Sequence, residues 1–260
     1  LPTMLESLGC EVIKLYCEPD GKFSRGTEPL PEHLDDLCET VKEQNADVGF
    51  AVDPDADRLA IVSENGDPLG EEFTLVIAAD GYLKETGNKE KFVVNLSTSL
   101  ALEKLAHINH SSVVRSAVGE INVVNKMNKV NSNLGGEGNG GVILRECHLG
   151  RDSMIAATMV LNRMSQTDDT LSEIHRSLPT FEIVKDRVSV EGIDPDVIIE
   201  KVSTLFNDAV INDLDGIKFS WDEKWVHLRR SNTEPILRIY AEAQNKDLAL
   251  DLISKIKSII

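Results

Sequence analysis

The sequence has few basic residues, no paired cysteines and no long apolar run. Lys and Arg account for 27 of the 260 residues against 44 Asp and Glu, which gives a formal net charge of −17. A surface of this charge does not attract nucleic acid or an acidic membrane, because both are polyanions. Apolar runs such as Leu75–Ala79 are far shorter than the roughly 20 residues of a membrane span. We therefore expect neither nucleic acid nor a membrane as a partner.

The four cysteines show no C-x-x-C pairing. They are typical of buried or free thiols in a reducing compartment, so we predict a cytoplasmic protein. No signal peptide is visible, and the sequence starts at Leu1 in what reads as the interior of a helix. We expect the chain to be a fragment of a longer protein.

Hydrophobic residues make up 41% and charged residues 27% of the chain, which is ordinary for a folded protein. Strand and helix patterns alternate up to about residue 179, which predicts two doubly wound mixed α/β domains, the first incomplete. Closely spaced strands then predict a C-terminal α+β domain with a mostly antiparallel sheet. The predicted domains are residues 1–68, 69–179 and 180–260.

Several individual elements are predicted within these domains. Residues 11–16 read as a strand and residues 31–44 as a helix with proline near its start. Apolar residues at helical spacing predict a helix over residues 71–86 that ends at Gly87.

Three aspartates occupy alternate positions of the segment Asp53-Pro54-Asp55-Ala56-Asp57-Arg58. Carboxylates are ligands that Mg²⁺ prefers, so this segment predicts a metal site. Without a cation, a like-charge pair about 4 Å apart costs roughly 4 kcal/mol at an effective dielectric constant of about 20. A solvated acidic turn is the simpler alternative, but the third aspartate and the adjacent arginine, placed to meet a ligand anion, favour metal binding.

An EF-hand calcium loop is the competing metal site, because it also carries acidic residues at alternate positions and Glu at position twelve, here Glu64. Its sixth position requires Gly for a sharp turn, and this chain has Arg58 there. The flanking residues 47–52 and 59–62 are short apolar runs that predict strands instead of helices. We predict a strand–loop–strand metal site.

A glycine-rich segment, GGEGNGG, occupies residues 135–141. It contains the pattern G-x-G-x-x-G, but residues 142–144 predict a strand, whereas a dinucleotide-binding loop opens a helix. No Gly-Lys-Ser/Thr follows, so the segment is not a phosphate-binding P-loop. Two interpretations stay open, namely a plain hairpin turn and a loop that presents Glu137 and Asn139 to a small polar ligand.

Positive charge is concentrated in residues 224–238, where four basic residues accompany one acidic residue, Glu234. Arginine side chains, hydroxyl groups and the backbone N–H groups of turns commonly bind phosphate. A solvated basic turn is the alternative, and the sequence Ser231-Asn232-Thr233 favours a phosphate site.

These three segments, in this order and spacing, resemble the motifs of the α-D-phosphohexomutases, which include phosphomannomutases, phosphoglucomutases and phosphoglucosamine mutases. Residues 116–120 (SAVGE) and 148–152 (HLGRD) also look like family segments. The resemblance covers essentially the whole chain. It implies a protein of four domains, of which this chain holds most of the second and all of the third and fourth.

The resemblance implies an enzyme that moves phosphate between the 1- and 6-positions of a hexose phosphate, through a phosphoserine and a hexose 1,6-bisphosphate intermediate. Mg²⁺ would be held by Asp53, Asp55 and Asp57, with Arg58 as a catalytic neighbour of the transferring phosphoryl group. Glu137 would bind sugar hydroxyls, with Asn139 beside it. The phosphate that is not reacting would be held by Arg229, Ser231, Asn232, Thr233 and Arg238.

The chain departs from the family in several places. Glu137 is followed by Gly-Asn-Gly-Gly where many members have x-Ser-Gly-His, and Arg145 and Arg230 stand where proline is expected. The sequence contains no Ser-His-Asn-Pro-like donor loop, which the family carries in its first domain. We therefore expect the donor serine to lie outside this chain, the missing N-terminal domain to be a partner, and the chain alone to be inactive.

A second class of function remains open, namely a non-catalytic protein that binds a phosphosugar and a metal. Upstream sequence that carries a donor loop would favour the mutase, and its absence would favour the binding protein. The preferred hexose phosphate is not decided by the sequence, although the glycine-rich segment leans towards phosphoglucosamine or phosphomannose.

Overall fold

The computed structural model describes residues 1–87, 89–190, 195–231 and 234–259. The α-helices in these residues are α1 (Pro2–Ser7), α2 (Asp35–Gln44), α3 (Glu71–Thr86), α4 (Leu100–Ile108), α5 (Glu120–Val130), α6 (Ser153–Ser165), α7 (Leu171–Ser177), α8 (Pro195–Leu205) and α9 (Lys246–Lys257). The strands are β1 (Val48–Val52), β2 (Leu59–Ser63), β3 (Lys91–Asn95), β4 (Ser112–Ser116), β5 (Leu134–Glu137), β6 (Gly141–Leu144), β7 (Glu182–Ser189), β8 (Val210–Asn212), β9 (Ile217–Trp221), β10 (Lys224–Arg230) and β11 (Ile236–Ala243).

The strands form three sheets in the described part of the chain. An antiparallel pair, β1–β2, is followed by a mixed sheet of order β4-β3-β5-β6, in which β4 and β5 run parallel to β3 and β6 runs antiparallel to β5. The third sheet, which we call the C-terminal sheet, has the order β7-β11-β10-β9-β8 and is antiparallel throughout. The predicted fold class, mixed α/β followed by an antiparallel sheet with helices, is confirmed.

The strand–loop–strand arrangement around the three aspartates is also confirmed. Val52 pairs with Leu59 in the antiparallel register of β1 and β2, so residues 53–58 form the connection, which we call the acidic loop. Leu59 and Ile61 of β2 share a hydrophobic core with helices α3 and α6. The strand that follows the acidic loop is therefore fixed to the α/β layer that comes next in the chain.

Helix α3 has the predicted bounds, and Gly87 ends it in a left-handed conformation with φ of 62°. The prediction for residues 11–16 is wrong, since they form no strand. Within the described residues β1 pairs with β2 alone, so no neighbouring strand supplies a hydrogen-bond ladder for residues 11–16. The helix predicted over residues 31–44 is divided into a 3-10 turn, Pro31–His33, and α2.

The C-terminal sheet has one apolar and one polar face because side chains alternate along each strand. Leu228 and Ile239 lie on the apolar face and form a core with α8 and α9. The polar face contacts the α/β layer: Lys218 Nζ donates to the Leu96 carbonyl at 2.6 Å, and Glu242 Oε2 accepts from the Leu100 N–H at 2.8 Å. The second contact places a buried carboxylate at the amino end of α4, where the helix dipole favours negative charge.

In the part of the chain that the structure describes, no helix is both long enough and apolar enough to cross a bilayer.

Candidate active site

A cleft of about 350 Å³ lies between the acidic loop, the α/β layer and the polar face of the C-terminal sheet. Its walls include five of the residues predicted from the sequence to act at a site, namely Arg58, Glu137, Asn139, Arg229 and Arg238. These residues are up to 180 positions apart in the sequence and come from all three sheets or their loops. The fold thus brings the three sequence motifs together around one space.

The acidic loop is tightly organised by its own backbone. Oδ1 of Asp53 accepts the N–H groups of Asp57 and Arg58 at 3.1 and 3.0 Å. Ala56 adopts a left-handed conformation with φ of 57°, and its carbonyl accepts the Ser153 hydroxyl at 2.7 Å. Helix α6, which begins at Ser153, therefore fixes the loop.

The three aspartates can place one ligand atom each within 4.8 Å of one another. Asp53 is buried and Asp55 is exposed, so the cluster reaches from the protein interior to solvent. Oδ1 of Asp57 is buried without a hydrogen-bond donor among the described residues, and its contact with Arg58 Nε is 3.7 Å long. A buried carboxylate oxygen without a donor suits a cation, so the donor set fits a hard metal such as Mg²⁺.

The pKa values of Asp53 and Asp57 are shifted in opposite directions. Burial raises the pKa of Asp57 to about 6, Arg151 opposes this shift, and the charges of Asp53 and Asp55 add to it. Burial likewise disfavours ionisation of Asp53, but hydrogen bonds from Arg58 outweigh burial and lower its pKa. A bound divalent cation would oppose the effect of burial on Asp53 and Asp57 and favour their ionised forms.

Arg58 is held in place by acidic groups on either side of it. Its Nε lies 2.5 Å from Asp53 Oδ2, and its two terminal nitrogens contact the Glu28 carboxylate at 2.7 and 3.1 Å. Both carboxylates raise the pKa of Arg58, although burial opposes them, so this side chain stays charged. One N–H on each terminal nitrogen remains for an anion in the cleft.

Arg151 connects the acidic loop to the glycine-rich segment and was not predicted as a site residue. Its NH2 group forms an ion pair with Asp57, and its NH1 group lies 2.8 Å from Glu137 Oε2. Its Nε lies 3.4 Å from Glu120 Oε2. The only signal in the sequence was the family-like segment at residues 148–152, in which Arg151 stands.

The glycine-rich segment forms an antiparallel hairpin, made of β5, residues 138–140 and β6. At Gly140, φ is +90° and a Cβ would lie 2.4 Å from the Leu59 carbonyl oxygen; at Gly141 a Cβ would lie 2.2 Å from Arg151. The hairpin therefore needs glycine to pack against β2 and Arg151. The segment is a hairpin, and Glu137 and Asn139 on it line the cleft. That it binds a small polar ligand stays a prediction.

Glu137 lies at the end of β5 and is 3% exposed. Its Oε1 accepts from Asn95 Nδ2 at 2.7 Å and from the Gly119 N–H at 2.8 Å, and Arg151 binds Oε2. These donors fix the carboxylate at the edge of the cleft. Oδ1 of Asn139 is buried and accepts no hydrogen bond within the described residues. Glu137 and Asn139 both line the cleft.

The opposite wall of the cleft is cationic. Arg229 of β10 pairs with Arg238 of β11, and Arg238 pairs with Arg187 of β7, so three arginines lie side by side across adjacent strands. Like charges directly opposite one another on a sheet destabilise it unless an anion lies between them. The register therefore supports a site for an anionic group, and sequence spacing gave no indication that Arg187 belongs to this row.

Asp215 orients this wall and was also missed by the sequence analysis. Its carboxylate lies 3.0 Å from Arg229 Nε and accepts the Val118 N–H of the α/β layer at 3.0 Å. The backbone carbonyl of Asp215 contacts His227 Nε2 at 2.7 Å. One residue in the turn before β9 thus joins the arginine row to the α/β layer. The dipeptide Asp215-Gly216 marks a turn, which carries no signal for this role.

The remaining predicted phosphate ligands follow β10. The Ser231 N–H donates to the Ile236 carbonyl at 3.0 Å, which closes the turn towards β11. Asn232 and Thr233 lie outside the described residues. Arg145, which stands where a proline was expected, donates to the Ser132 carbonyl at 2.7 Å and does not line the cleft.

Three family models match the chain. The models are described as phosphoglucomutase/phosphomannomutase alpha/beta/alpha domain II, alpha/beta/alpha domain III and C-terminal domain, and they match residues 1–66, 70–181 and 187–258.

Curated proteins with the same family names are similar over the whole chain. A phosphoglucomutase/phosphomannomutase of Thermococcus kodakarensis is 36% identical over 97% of this chain and 56% of its own length. A probable phosphoglucosamine mutase of Methanopyrus kandleri is 33% identical over 100% of this chain and 58% of its own length. The chain therefore spans less than three-fifths of the length of either relative.

Solved structures share the fold. A phosphoglucomutase/phosphomannomutase family protein of Burkholderia thailandensis aligns with a TM-score of 0.83 and 21% identity, over 97% of this chain and 55% of its own. An N-acetylphosphoglucosamine mutase of Aspergillus fumigatus, solved with GlcNAc-6P and magnesium, aligns with a TM-score of 0.60 and 18% identity, over 80% of this chain and 50% of its own. With family models matched over nearly its whole length, the chain belongs to the phosphoglucomutase/phosphomannomutase family.

Proposed function

We propose that this chain carries the metal, sugar and phosphate-holding sites of a phosphohexomutase. The reaction is the reversible transfer of phosphate between the 1- and 6-positions of a hexose phosphate of the mannose, glucose or glucosamine type. It proceeds through a phosphoserine and a bisphosphate intermediate, with the donor serine supplied from outside these 260 residues. The observation that carries the proposal is the single cleft that collects Arg58, Glu137 and Arg229.

The acidic loop is assigned to the reacting phosphoryl group. Asp53, Asp55 and Asp57 would hold Mg²⁺, which, when bound, neutralises charge on the phosphoryl oxygens. Arg58 keeps two free N–H groups directed by Glu28 and Asp53, and these would bind oxygens of the same group. Arg151 contacts both Asp57 of the loop and Glu137, so a metal on the loop and a sugar at Glu137 would be held at a fixed distance from each other.

The two remaining walls bind the sugar and its second phosphate. Glu137 and Asn139 line the cleft and would bind sugar hydroxyl groups, and Arg229 and Arg238 would bind a phosphate through their guanidinium groups. The separation of an acceptor wall from a cationic wall gives a hexose phosphate one favourable orientation. The predicted phosphate ligands Ser231, Asn232 and Thr233 remain part of this proposal.

Relatives support the choice of substrate class. The names of two similar proteins specify glucose, mannose and glucosamine phosphates, and the Aspergillus enzyme of the same fold was solved with a hexosamine phosphate and magnesium. The domain division at 1–68, 69–179 and 180–260 and a cytoplasmic location are further parts of the proposal. The four free cysteines suit a reducing compartment.

Substitution of Arg229 by Ala is expected to weaken binding of a hexose 6-phosphate by roughly tenfold to a hundredfold, because a hydrogen bond to a charged group contributes about 1.5–3 kcal/mol. Lys224→Ala is the matched control, since Lys224 lies on the same strand but its Nζ sits 5.0 Å from the Trp221 ring centre on the opposite face. Titration calorimetry of both variants measures the dissociation constants. An equal loss of affinity in the two variants would show that the basic segment attracts the phosphate only through its overall positive charge, without a specific contact from Arg229.

Mg²⁺ is expected to bind the chain weakly, because the phosphoserine oxygen that the family resemblance assigns to the metal is absent from the ligand set. Asp55→Ala is expected to reduce the heat of Mg²⁺ titration to that of dilution. Asp222→Ala, which removes an exposed carboxylate from the turn between β9 and β10, should leave the heats unchanged. Identical heats for the Asp55 variant and the unaltered chain would overturn the metal assignment.

A further inference from the structure

Ser97 and His227 face each other across the boundary between the α/β layer and the C-terminal sheet. The hydroxyl oxygen of Ser97 lies 2.9 Å from His227 Nδ1, and both side chains line the cleft. The two residues are 130 positions apart, so the fold alone creates this pair. Neither residue has a role in the sites assigned above.

The direction of this hydrogen bond follows from the second nitrogen of the imidazole. His227 Nε2 lies 2.7 Å from the carbonyl oxygen of Asp215, which can only accept, so Nε2 carries the proton. A neutral imidazole has one N–H, which makes Nδ1 the acceptor of the Ser97 hydroxyl. Burial lowers the pKa of His227 to about 4; the hydrogen bond with the Asp215 carbonyl opposes this shift, and Lys218 and Arg229 add to it. The imidazole is therefore neutral near pH 7.

Ser97 is also fixed from its backbone side. Its N–H donates to Asn95 Oδ1 at 2.9 Å, and Nδ2 of Asn95 donates to Glu137 Oε1 at 2.7 Å. Asn95 thus places Ser97 at a set position beside the carboxylate proposed to bind sugar hydroxyls. Because the Ser97 proton is directed to His227, the lone pairs of Ser97 Oγ can only accept a further hydrogen bond.

We propose that Ser97 is a substrate-binding residue whose Oγ accepts a hydrogen bond from a hydroxyl or amino group of the sugar, and that His227 is a positioning residue that fixes the direction of that bond. This inference rests on the proposed function and adds a specificity element to it. Ser97 and Glu137 give this wall of the cleft two acceptor side chains. A phosphate is disfavoured at such a wall, whereas a sugar with several hydroxyl donors is favoured.

The test combines a serine variant with sugars that lack single hydroxyl groups. Dissociation constants are measured by titration calorimetry for glucose, mannose and glucosamine 6-phosphates, and then for the 1-, 2-, 3- and 4-deoxy analogues of the tightest ligand. Ser97→Ala is expected to weaken binding of the parent sugar by roughly three- to tenfold, as for a neutral hydrogen bond. For the one analogue that lacks the contacted group, the variant and the unaltered chain should bind equally. Ser97→Thr, which keeps a hydroxyl, should bind the parent like the unaltered chain.

The role of His227 has its own readout. Nitrogen NMR of the imidazole at neutral pH is expected to show a protonated Nε2 and an unprotonated Nδ1. The opposite tautomer would overturn the positioning role, because the Ser97 hydroxyl could then turn its proton to the ligand.

The outcomes separate this inference from the function on which it rests. Absence of binding to all three hexose 6-phosphates, or binding that does not depend on Arg229, would overturn the proposed function and this inference with it. Arg229-dependent binding that Ser97→Ala leaves unchanged would overturn the role of Ser97 alone. An equal loss for the parent and every deoxy analogue would do the same, because it would show a general structural effect instead of one hydrogen bond.

Discussion

The 260-residue chain alone is expected to convert no hexose 1-phosphate in a coupled assay, even when Mg²⁺ and hexose 1,6-bisphosphate are supplied. Transfer through an enzyme-bound phosphoryl group requires a nucleophile beside the metal. Two serines near the cleft or the acidic loop use their hydroxyl groups in structural hydrogen bonds. Ser99 caps α4 and donates to Glu242, and Ser153 donates to the Ala56 carbonyl. Neither hydroxyl is placed as a donor loop would place it.

Robust turnover by the bare chain would contradict this expectation and would mean that a serine within this chain is phosphorylated, with Ser97 as the first candidate because it lines the cleft. A phosphate adduct on the Ser97 peptide, detected by mass spectrometry, would establish that outcome. The full-length relative from Thermococcus kodakarensis, assayed in parallel, controls for the quality of the substrates. If upstream coding sequence carries a Ser-His-Asn-Pro loop, adding that segment should restore turnover; without such a segment, a non-catalytic phosphosugar-binding protein becomes the better description.

Substitution of Glu242 by Ala is expected to lower the free energy of unfolding by about 3–4 kcal/mol, because several buried donors would lose their acceptor at once. The Glu242 carboxylate accepts from the Ser99 hydroxyl and the Trp225 indole at 2.5 Å each and from the Leu100 N–H at 2.8 Å. It is fully buried between β11 and α4. Urea denaturation measures the change.

Glu182→Ala is the matched control for this variant, since Glu182 is an exposed glutamate on the neighbouring strand β7 and pairs in register with Ala243. A surface substitution of this kind changes stability by less than about 0.5 kcal/mol. Equal stabilities of the two variants would mean that the C-terminal sheet does not depend on Glu242 for its attachment to α4.

The elements that could be predicted were those whose sequence pattern is set by local burial. Helix α3 has the predicted bounds, because apolar spacing marks its length and Gly87 marks its end. Strand β5 was missed because three of its four residues, Gly135, Gly136 and Glu137, have low strand propensity. Its strand conformation comes from pairing with β3 and β6, which is a tertiary effect.

The candidate site was predictable to the extent that its residues lie within compact motifs. Arg58, Glu137 and Arg229 stand in such motifs, and the structure brings them to one cleft. Arg151 and Asp215 could not be assigned in this way, because their importance lies in contacts between distant segments. Arg151 bridges Asp57 and Glu137, and no spacing rule relates residues that are 94 and 14 positions apart.

Side chains alternate between the two faces of the sheet along β10 and β11, and this alternation limits where the chain can gain or lose a residue. Arg229 and Arg238 face the cleft because their neighbours Leu228 and Ile239 are held in the core, and a one-residue slip would exchange the two sets. The turn between the strands lies outside this constraint, so its length can change while both arginines keep their places. An insertion or deletion of one residue inside β10 or β11 would instead carry the arginines into the core and the core residues into the cleft, so the lengths of these two strands are fixed by the packing on both faces of the sheet.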